Sequence, residues 1–295
     1  MITELEGILP PVLTPFRGEE VALDRLAQNL ERLNREPLNG YVVLGSTGEF
    51  PLLGEGEKER VIATAREHVP ADRSLVAGTG GESTGATVRL TKRAAALGAD
   101  AALVITPSYF KSMMKAPALL RHYRTVADQS PVPVLLYNFP ATTGINLEPD
   151  TVARLAEHAN IRGIKDSSGN VPQAGEVIRL TPKTFQLFVG SPLALLPTLL
   201  LGGAGGVLAI ANLAPRECVE VYRLARAGQW AEARAIGARL APLSTGIGAR
   251  YGIGGLKAAL DLLGGYGGPT RMPLPVPDAD GVAEIREILA TTGLL

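Results

Sequence analysis

The feature that most constrains this chain is a repeated alternation of short apolar runs with amphipathic stretches. Eight apolar runs have the length and composition of β-strands, at residues 7–16, 40–45, 74–80, 101–107, 133–140, 161–167, 185–191 and 205–212. Amphipathic stretches between them have helical spacing, for example at residues 54–69, 84–98, 116–129, 148–158 and 214–228. Most of the apolar runs are continuous, which is typical of parallel strands covered on both faces. Because eight βα units close a parallel barrel, we predict an α/β fold of the (β/α)8 TIM-barrel type.

An open, doubly wound sheet is the main alternative for such an alternation. A dinucleotide-binding sheet would carry a G-x-G-x-x-G turn after its first strand, whereas the first apolar run ends in "LTPF" at residues 13–16. The glycine-rich residues 202–206 lack the G-K-[ST] ending of a phosphate loop, and we interpret them as a turn before the eighth strand. The barrel is therefore the preferred prediction.

Strand signals stop after residue 228. Residues 229–295 contain three further helical patterns, together with a connector rich in proline and glycine at residues 265–280. We predict the barrel at residues 1–228. At residues 229–295 we predict a C-terminal helical extension that packs on the barrel and is not an independent domain.

Charge and cysteine content limit the classes of function. Lys+Arg and Asp+Glu number 29 each, and no basic stripe with interleaved aromatic residues is present, so neither nucleic acid nor a membrane is expected as a partner. Cys218 is the single cysteine, which is typical of a reducing compartment. Residues 1–16 lack the basic start and apolar run of a signal peptide, and Pro197 interrupts the longest apolar stretch. We expect a cytoplasmic protein.

Lys165 is the most informative single residue, because it is the only lysine at the carboxyl end of a predicted strand. Catalytic groups of parallel barrels lie at those ends. Burying a lysine cation costs on the order of several kcal/mol unless it is paired, so burial favours the neutral amine. A neutral amine can attack a ketone and form a Schiff base. Two structural explanations stay open: the side chain could extend into water or pair with Asp166.

The turn "LGSTGEF" at residues 44–50 follows the second strand run. Its two glycines flank Ser46 and Thr47, and such a turn can present backbone N–H groups and two hydroxyls to a carboxylate. Hydroxyls that bond locally within the turn are the alternative. The turn is a candidate anion site.

Tyrosines follow two other strand runs. The phenol of Tyr137, in "YNFPATTG" at residues 137–144, can relay protons near an imine. A core tyrosine with a satisfied hydroxyl is the alternative, for Tyr137 and also for Tyr109 after the fourth strand. The histidines at positions 68, 122 and 158 lie in helical patterns and are expected at the surface, so a Ser-His-Asp site is not predicted. No cluster has metal-ligand spacing, and no metal is expected.

The motifs "GSTGE", "YNFPATTG" and "GIKDSSG" together resemble the dihydrodipicolinate synthase / N-acetylneuraminate lyase superfamily of class I aldolases. The similarity runs from residue 7 to residue 274. It implies a TIM barrel with C-terminal helices and a lysine Schiff base with pyruvate or another 2-oxo acid. It further implies no cofactor beyond that covalent Schiff base, and a homotetramer built as a dimer of dimers.

The resemblance also implies roles for individual residues. Lys165 matches the Schiff-base lysine and Tyr137 matches the tyrosine that shuttles protons. Ser46 and Thr47 match the pair that holds the 2-oxo acid carboxylate, with Ser46 also in the proton relay. Tyr109 matches a tyrosine that, in the synthases, reaches into a neighbouring subunit's site. The further positions expected to bind substrate are Thr142, Ser167, Gly190 and Leu208.

Thr142 bears on the second substrate. The synthases resembled here carry an arginine at this position, which grips the carboxylate of aspartate semialdehyde, and a threonine cannot replace that bidentate contact. Residues 45–53 and 250–274 are instead similar to 4-hydroxy-2-oxoglutarate aldolase, although that enzyme tends to have asparagine in place of Thr47. We therefore expect a Schiff-base aldolase that cleaves 4-hydroxy-2-oxoglutarate to pyruvate and glyoxylate.

Three alternative functions stay open. The first is 4-hydroxy-tetrahydrodipicolinate synthase, which condenses pyruvate with aspartate semialdehyde, and measured consumption of that aldehyde discriminates it. The second is an aldolase or dehydratase of 2-keto-3-deoxy sugar acids. The third is a catalytically silent barrel that binds a 2-oxo acid without forming a reducible imine.

Overall fold

The centre of the molecule is a ring of eight parallel strands. A computed structural model describes residues 5–295. The strands in chain order are β1 (Gly7–Ile8), β2 (Phe16–Arg17), β3 (Glu20–Val21), β4 (Gly40–Val43), β5 (Ser74–Gly78), β6 (Ala101–Ile105), β7 (Val134–Asn138), β8 (Ile161–Asp166), β9 (Gln186–Val189) and β10 (Gly205–Gly206). Among the strands of residues 5–295, β2 and β3 alone lie outside the ring, where they form an antiparallel hairpin.

Pairing between the segment after β1 and β4 closes the ring. The strand order is β1-β10-β9-β8-β7-β6-β5-β4, and a parallel bridge between Pro11 and Val42 joins the two ends. The Val12 N–H donates to the Val42 carbonyl at 2.8 Å, and the Val42 N–H donates to the Pro10 carbonyl at 3.0 Å. The predicted TIM barrel is therefore confirmed, and the open sheet is excluded.

Helices cover the outside of the ring. They are α1 (Leu23–Asn34), α2 (Glu55–His68), α3 (Thr84–Ala96), α4 (Ala116–Gln129), α5 (Pro140–Thr143), α6 (Pro149–Ala156), α7 (Val171–Leu180), α8 (Pro192–Leu200) and α9 (Pro215–Arg226). No helix within residues 5–295 combines the length and the apolar character needed to cross a membrane.

The C-terminal extension is helical. It comprises α10 (Trp230–Pro242), a π-helix (Leu243–Gly248), α11 (Ala249–Leu262) and α12 (Ala279–Thr291). Leu260 of α11 and Ile285 of α12 belong to the same buried cluster as Leu30 of α1. The extension therefore shares a core with the barrel helices, and the boundary at residue 228 stays a prediction.

Two ring strands are shorter than the sequence predicts. Within residues 7–16 only the first two residues form a ring strand, because Pro10 and Pro11 have no N–H to donate to a ladder. The end of that run forms the first strand of the β2–β3 hairpin, which was not predicted. In the run at residues 205–212, only Gly205–Gly206 form a strand. Residues 209–212 form a 3₁₀ turn.

Side chains of the ring strands alternate between the barrel interior and the layer beneath the helices. The interior cluster consists of Leu5, Leu9, Val42, Val76, Ala101, Leu103, Leu135, Tyr137, Phe188 and Val207. Ile164 of β8 packs in the outer layer, so its neighbour Lys165 is directed into the interior. Lys165 and Tyr137 are also register partners of β8 and β7. The barrel therefore positions these two side chains next to each other.

His122 is buried in α4, and the expectation of a surface histidine at this position is wrong. The residue is 5% exposed, and its Nδ1 lies 2.9 Å from Thr84 Oγ1. It follows Leu119 by three positions, which places it on the apolar face of the helix. Burial lowers the pKa of His122 from 6.5 to about 4.

The buried imidazole predicts an acid-sensitive fold. Between pH 6.5 and about pH 4 the unfolded chain binds a proton at His122 that the folded chain does not. The free energy of unfolding should therefore fall as pH decreases through this window, by about 3 kcal/mol from this residue alone. Urea unfolding at pH 7 and pH 4.5 should show a smaller loss in a His122→Asn variant than in the wild type. An equal loss in both proteins would contradict the prediction.

Candidate active site

Lys165 lies near the end of β8 and is 4% exposed. Its Nζ is 4.3 Å from the centroid of the Tyr137 ring. The adjacent Asp166 carboxylate accepts hydrogen bonds from Asn138 Nδ2 at 2.9 Å and from Ser168 Oγ at 2.8 Å. Lys165 therefore neither extends into water nor pairs with Asp166, and both structural explanations for it fail. A buried lysine near the carboxyl end of a barrel strand is placed to attack a carbonyl group bound in the barrel mouth.

Tyr137 connects the lysine to the turn after β4. Its hydroxyl lies 3.2 Å from Ser46 Oγ, and either oxygen can be the donor. The ring is 4% exposed and stacks on Phe139 with centroids 5.9 Å apart. The structure thus brings together Lys165, Tyr137 and Ser46, three residues of the predicted catalytic set. Tyr137 thus contacts Lys165 through its ring and Ser46 through its hydroxyl, and a phenol placed in this way can exchange protons with a group bound at the lysine.

The turn after β4 presents unused donors. Residues Ser46–Gly48 form a 3₁₀ turn. The Gly48 N–H donates to the Gly45 carbonyl and the Glu49 N–H to the Ser46 carbonyl, both at 3.0 Å. The N–H groups of Ser46 and Thr47 donate to no group within residues 5–295. Both side chains are half-buried. Two free N–H groups beside two hydroxyls are well suited to a carboxylate.

The backbone on either side of this turn is strained. Leu44 has a φ of 57° and Glu49 a φ of 56°, in the left-handed region that residues with long side chains rarely adopt. The Leu44 carbonyl also approaches Gly78 of β5 so closely that a Cβ there would be 1.9 Å away. Strain of this kind persists only where surrounding contacts impose it, and it concentrates at functional sites.

Ser167 and Gly190 lie side by side just after β8 and β9. A Cβ on Gly190 would be 2.0 Å from Ser167 Oγ, so the approach requires glycine. The Ser167 N–H donates to the Asn138 carbonyl and the Gly190 N–H to the Asp166 carbonyl, both at 2.8 Å. These bonds place both residues at the carboxyl end of the barrel, on the same side as Lys165.

Three predicted site residues do not join this cluster of side chains. Leu208 packs in the outer layer, since Val207 before it occupies the interior. Thr142 is exposed on α5. Tyr109 is 79% exposed on the loop after β6, with its ring edge-on to Phe110. The predicted reach of Tyr109 into a neighbouring subunit stays a prediction.

The sequence analysis missed a buried ion pair beside the Ser46 turn. Lys257 Nζ of α11 lies 2.5 Å from Glu49 Oε1, and neither side chain is more than 1% exposed. A signal was available: Lys257 is spaced four residues from Ile253 and three from Leu260, on the apolar stripe of the helix. A lysine on such a stripe is either buried with a partner or directed to water by its stem.

Comparisons with known proteins agree with the fold and the motifs. Residues 4–292 match the model of the dihydrodipicolinate synthetase family. A 4-hydroxy-tetrahydrodipicolinate synthase of Methanoculleus marisnigri is 40% identical over 292 residues, which are 98% of this chain and 99% of that protein.

Solved structures are similar over the whole chain. Dihydrodipicolinate synthase from Thermotoga maritima is 30% identical with a TM-score of 0.94, covering 98% of this chain and 99% of that chain. A prophage protein of Escherichia coli K12, from the dihydrodipicolinic acid synthase family and solved with pyruvate, is 32% identical with a TM-score of 0.92 and the same coverage. The chain therefore belongs to the dihydrodipicolinate synthetase family of pyruvate-dependent class I lyases, as its motifs predicted.

Proposed function

We propose that the chain forms a Schiff base between Lys165 and pyruvate and uses it to make or break a carbon–carbon bond. The observation that carries the proposal is the contact of the buried Lys165 amine with Tyr137, whose hydroxyl reaches Ser46 at 3.2 Å. This arrangement supplies a nucleophile, a proton shuttle and a carboxylate site. It needs no cofactor beyond the covalent imine.

The reaction follows from these roles. The Lys165 amine attacks C2 of pyruvate, and loss of water gives the imine, while the carboxylate rests on the N–H groups of Ser46 and Thr47. A proton passes from C3 to the Tyr137–Ser46 relay and leaves an enamine, which attacks the carbonyl carbon of an aldehyde. The aldehyde oxygen takes its proton through Tyr137. Water then hydrolyses the imine, which releases the product and regenerates the Lys165 amine. Cleavage is the reverse of this sequence.

Aspartate semialdehyde is the second substrate that the relatives favour. The similar proteins of Methanoculleus marisnigri and Thermotoga maritima are both named as synthases of this reaction. We therefore place 4-hydroxy-tetrahydrodipicolinate synthase ahead of the aldolase that the sequence favoured. One observation still counts against the synthase: Thr142 offers no guanidinium for the carboxylate of aspartate semialdehyde.

Reductive trapping tests the covalent step. Borohydride added with pyruvate should attach a pyruvate-derived group to Lys165, detectable by peptide mass spectrometry. Absence of the adduct in folded protein would overturn the proposal and favour a silent binding barrel. A substrate panel then ranks the reactions: pyruvate with aspartate semialdehyde, and pyruvate release from 4-hydroxy-2-oxoglutarate or from 2-keto-3-deoxy sugar acids.

Lys111 places a cation at the end of α5, the helix that carries Thr142, and a carboxylate of the second substrate can use this cation. Its side chain lies over Gly144, which ends α5: a Cβ on that glycine would be 3.1 Å from Lys111 Nζ. The residue is exposed, so its ammonium is accessible. An ammonium makes a single charge-assisted contact where an arginine makes two.

Lys111 should therefore affect the affinity for the second substrate but not the affinity for pyruvate. In a Lys111→Met variant we expect the KM for a carboxylate-bearing aldehyde to rise about tenfold, because one hydrogen bond to a charged group is lost. The KM for pyruvate should not change. Lys115→Met, on the same exposed loop, is the matched control and should resemble the wild type. Equal changes in both KM values would count against this role.

We propose that the protein is a homotetramer that acts in the cytoplasm. Its partners in this proposal are small molecules, and it binds neither nucleic acid nor a membrane. Exposed apolar side chains on the loop after β6 support contact with another copy: Tyr109, Phe110 and Met113 are 79%, 66% and 67% exposed. Sedimentation velocity measures the state directly.

A further inference from the structure

Glu49 stands at the junction between the substrate turn and the C-terminal extension. Its backbone N–H donates to the Ser46 carbonyl at 3.0 Å and closes the turn. Its carboxylate lies 2.5 Å from Lys257 Nζ through Oε1 and accepts the Arg271 N–H at 2.9 Å through Oε2. One residue thus joins the turn to α11 and to the connector that follows it.

Lys257 is itself fixed on several sides. Its Nζ donates to the Pro269 carbonyl at 2.7 Å and lies 4.4 Å from the centroid of the Phe16 ring. The backbone of Gly267 passes so close that a Cβ there would be 2.2 Å from the Lys257 carbonyl oxygen. The cation therefore has little freedom to follow Glu49 if the turn moves.

Arg271 reinforces the same junction. Its guanidinium donates to both Glu57 carboxylate oxygens at 2.8 Å and to the Leu52 carbonyl at 2.9 Å. It also lies 4.5 Å from the Phe16 ring centroid, on the ring that contacts Lys257. The turn and the start of α2 are thus held by the same connector.

We propose that the buried Glu49–Lys257 ion pair positions the Ser46–Thr47 turn for the carboxylate of the 2-oxo acid. Glu49 keeps a left-handed backbone that glutamate disfavours, and its side-chain partners hold it there. The two free N–H groups and the Ser46 hydroxyl depend on that backbone for their direction. The inference rests on the proposed function, and it assigns part of the site's affinity to a helix outside the barrel.

The test separates affinity for pyruvate from the chemical step. Lys257→Met and Glu49→Gln should each raise the pyruvate KM, and the pyruvate concentration for half-maximal borohydride trapping, by about tenfold or more, because misplaced binding groups are costly. The kcat at saturating pyruvate should stay within a few-fold of the wild type. Glu49→Gln keeps the size of the side chain and an acceptor for the Arg271 N–H, so it decides the question if Lys257→Met does not fold.

Ile285→Ala is the matched control, because it opens the buried core of the extension without touching the turn. Its pyruvate KM should equal that of the wild type. A purely structural role for the ion pair would lower the trapped fraction and kcat at unchanged KM, and that result would overturn the proposal. Wild-type protein that is not trapped at all would instead refute the proposed function.

Discussion

Replacing Lys165 by methionine is expected to abolish both pyruvate trapping by borohydride and turnover. The variant loses the only group in the cluster that can form an imine, so kcat should fall by roughly 10⁴-fold or more, as for other covalent nucleophiles. Peptide mass spectrometry after reduction and a pyruvate-coupled assay check the two effects. Retained trapping at another lysine would show that Lys165 is not the nucleophile.

The fold of this variant should survive. Lys165 lies against Tyr137, and the neighbouring Asp166 is already satisfied by Asn138 and Ser168, so methionine leaves no carboxylate without a partner. Methionine also fits an apolar interior. Unchanged circular dichroism and melting would separate loss of chemistry from loss of structure. Lys92→Met, on the exposed side of α3, is the control for removing a lysine and should keep full activity.

Replacing Tyr137 by phenylalanine should leave the imine but slow its chemistry. The ring that contacts Lys165 is kept, while the hydroxyl that reaches Ser46 is lost. Removal of a general acid–base group typically costs about 10²–10⁴-fold, and we expect kcat to fall within that range. Borohydride should still trap pyruvate at Lys165, more slowly. Stopped-flow imine formation and steady-state kcat measure the two steps.

Tyr123→Phe is the matched control for this change. Tyr123 is as buried as Tyr137, but its hydroxyl donates to the Val104 carbonyl at 3.2 Å in the outer layer. The Tyr123→Phe substitution should lower the free energy of unfolding by about 1 kcal/mol, because one hydrogen bond is lost. It should leave kcat unchanged. Equal kcat values for Tyr137→Phe and the wild type would remove Tyr137 from the mechanism.

The positions of the strands and the location of Lys165 at the end of β8 could be predicted from the sequence, because both depend on the local pattern of apolar residues. A continuous apolar run predicts a buried parallel strand. A lysine at the carboxyl end of such a run is predicted to lie at the mouth of the barrel. Val134–Asn138 and Ile161–Asp166 lie within their predicted runs, and pairing in register places Tyr137 next to Lys165. Strand ends were less predictable, because prolines and hairpin pairing decide them.

Interactions between segments far apart in the sequence could not be predicted from the local pattern. Glu49 and Lys257 are far apart in sequence, and neither motif nor spacing indicates that they meet. The left-handed backbone of Leu44 is likewise imposed by tertiary contacts, since leucine itself disfavours it. His122 was misassigned because the expectation rested on the residue type, although its spacing from Leu119 places it on the apolar face of α4.

The closure of the ring sets the order in which the protein can mature during synthesis. Gly7 pairs with Gly205, so β1 emerges from the ribosome roughly two hundred residues before its partner. At about 5–20 residues per second, the wait lasts between about 10 and 40 seconds. During that time the nascent chain carries unpaired strand edges and apolar side chains such as Leu9, which are the features that chaperones bind.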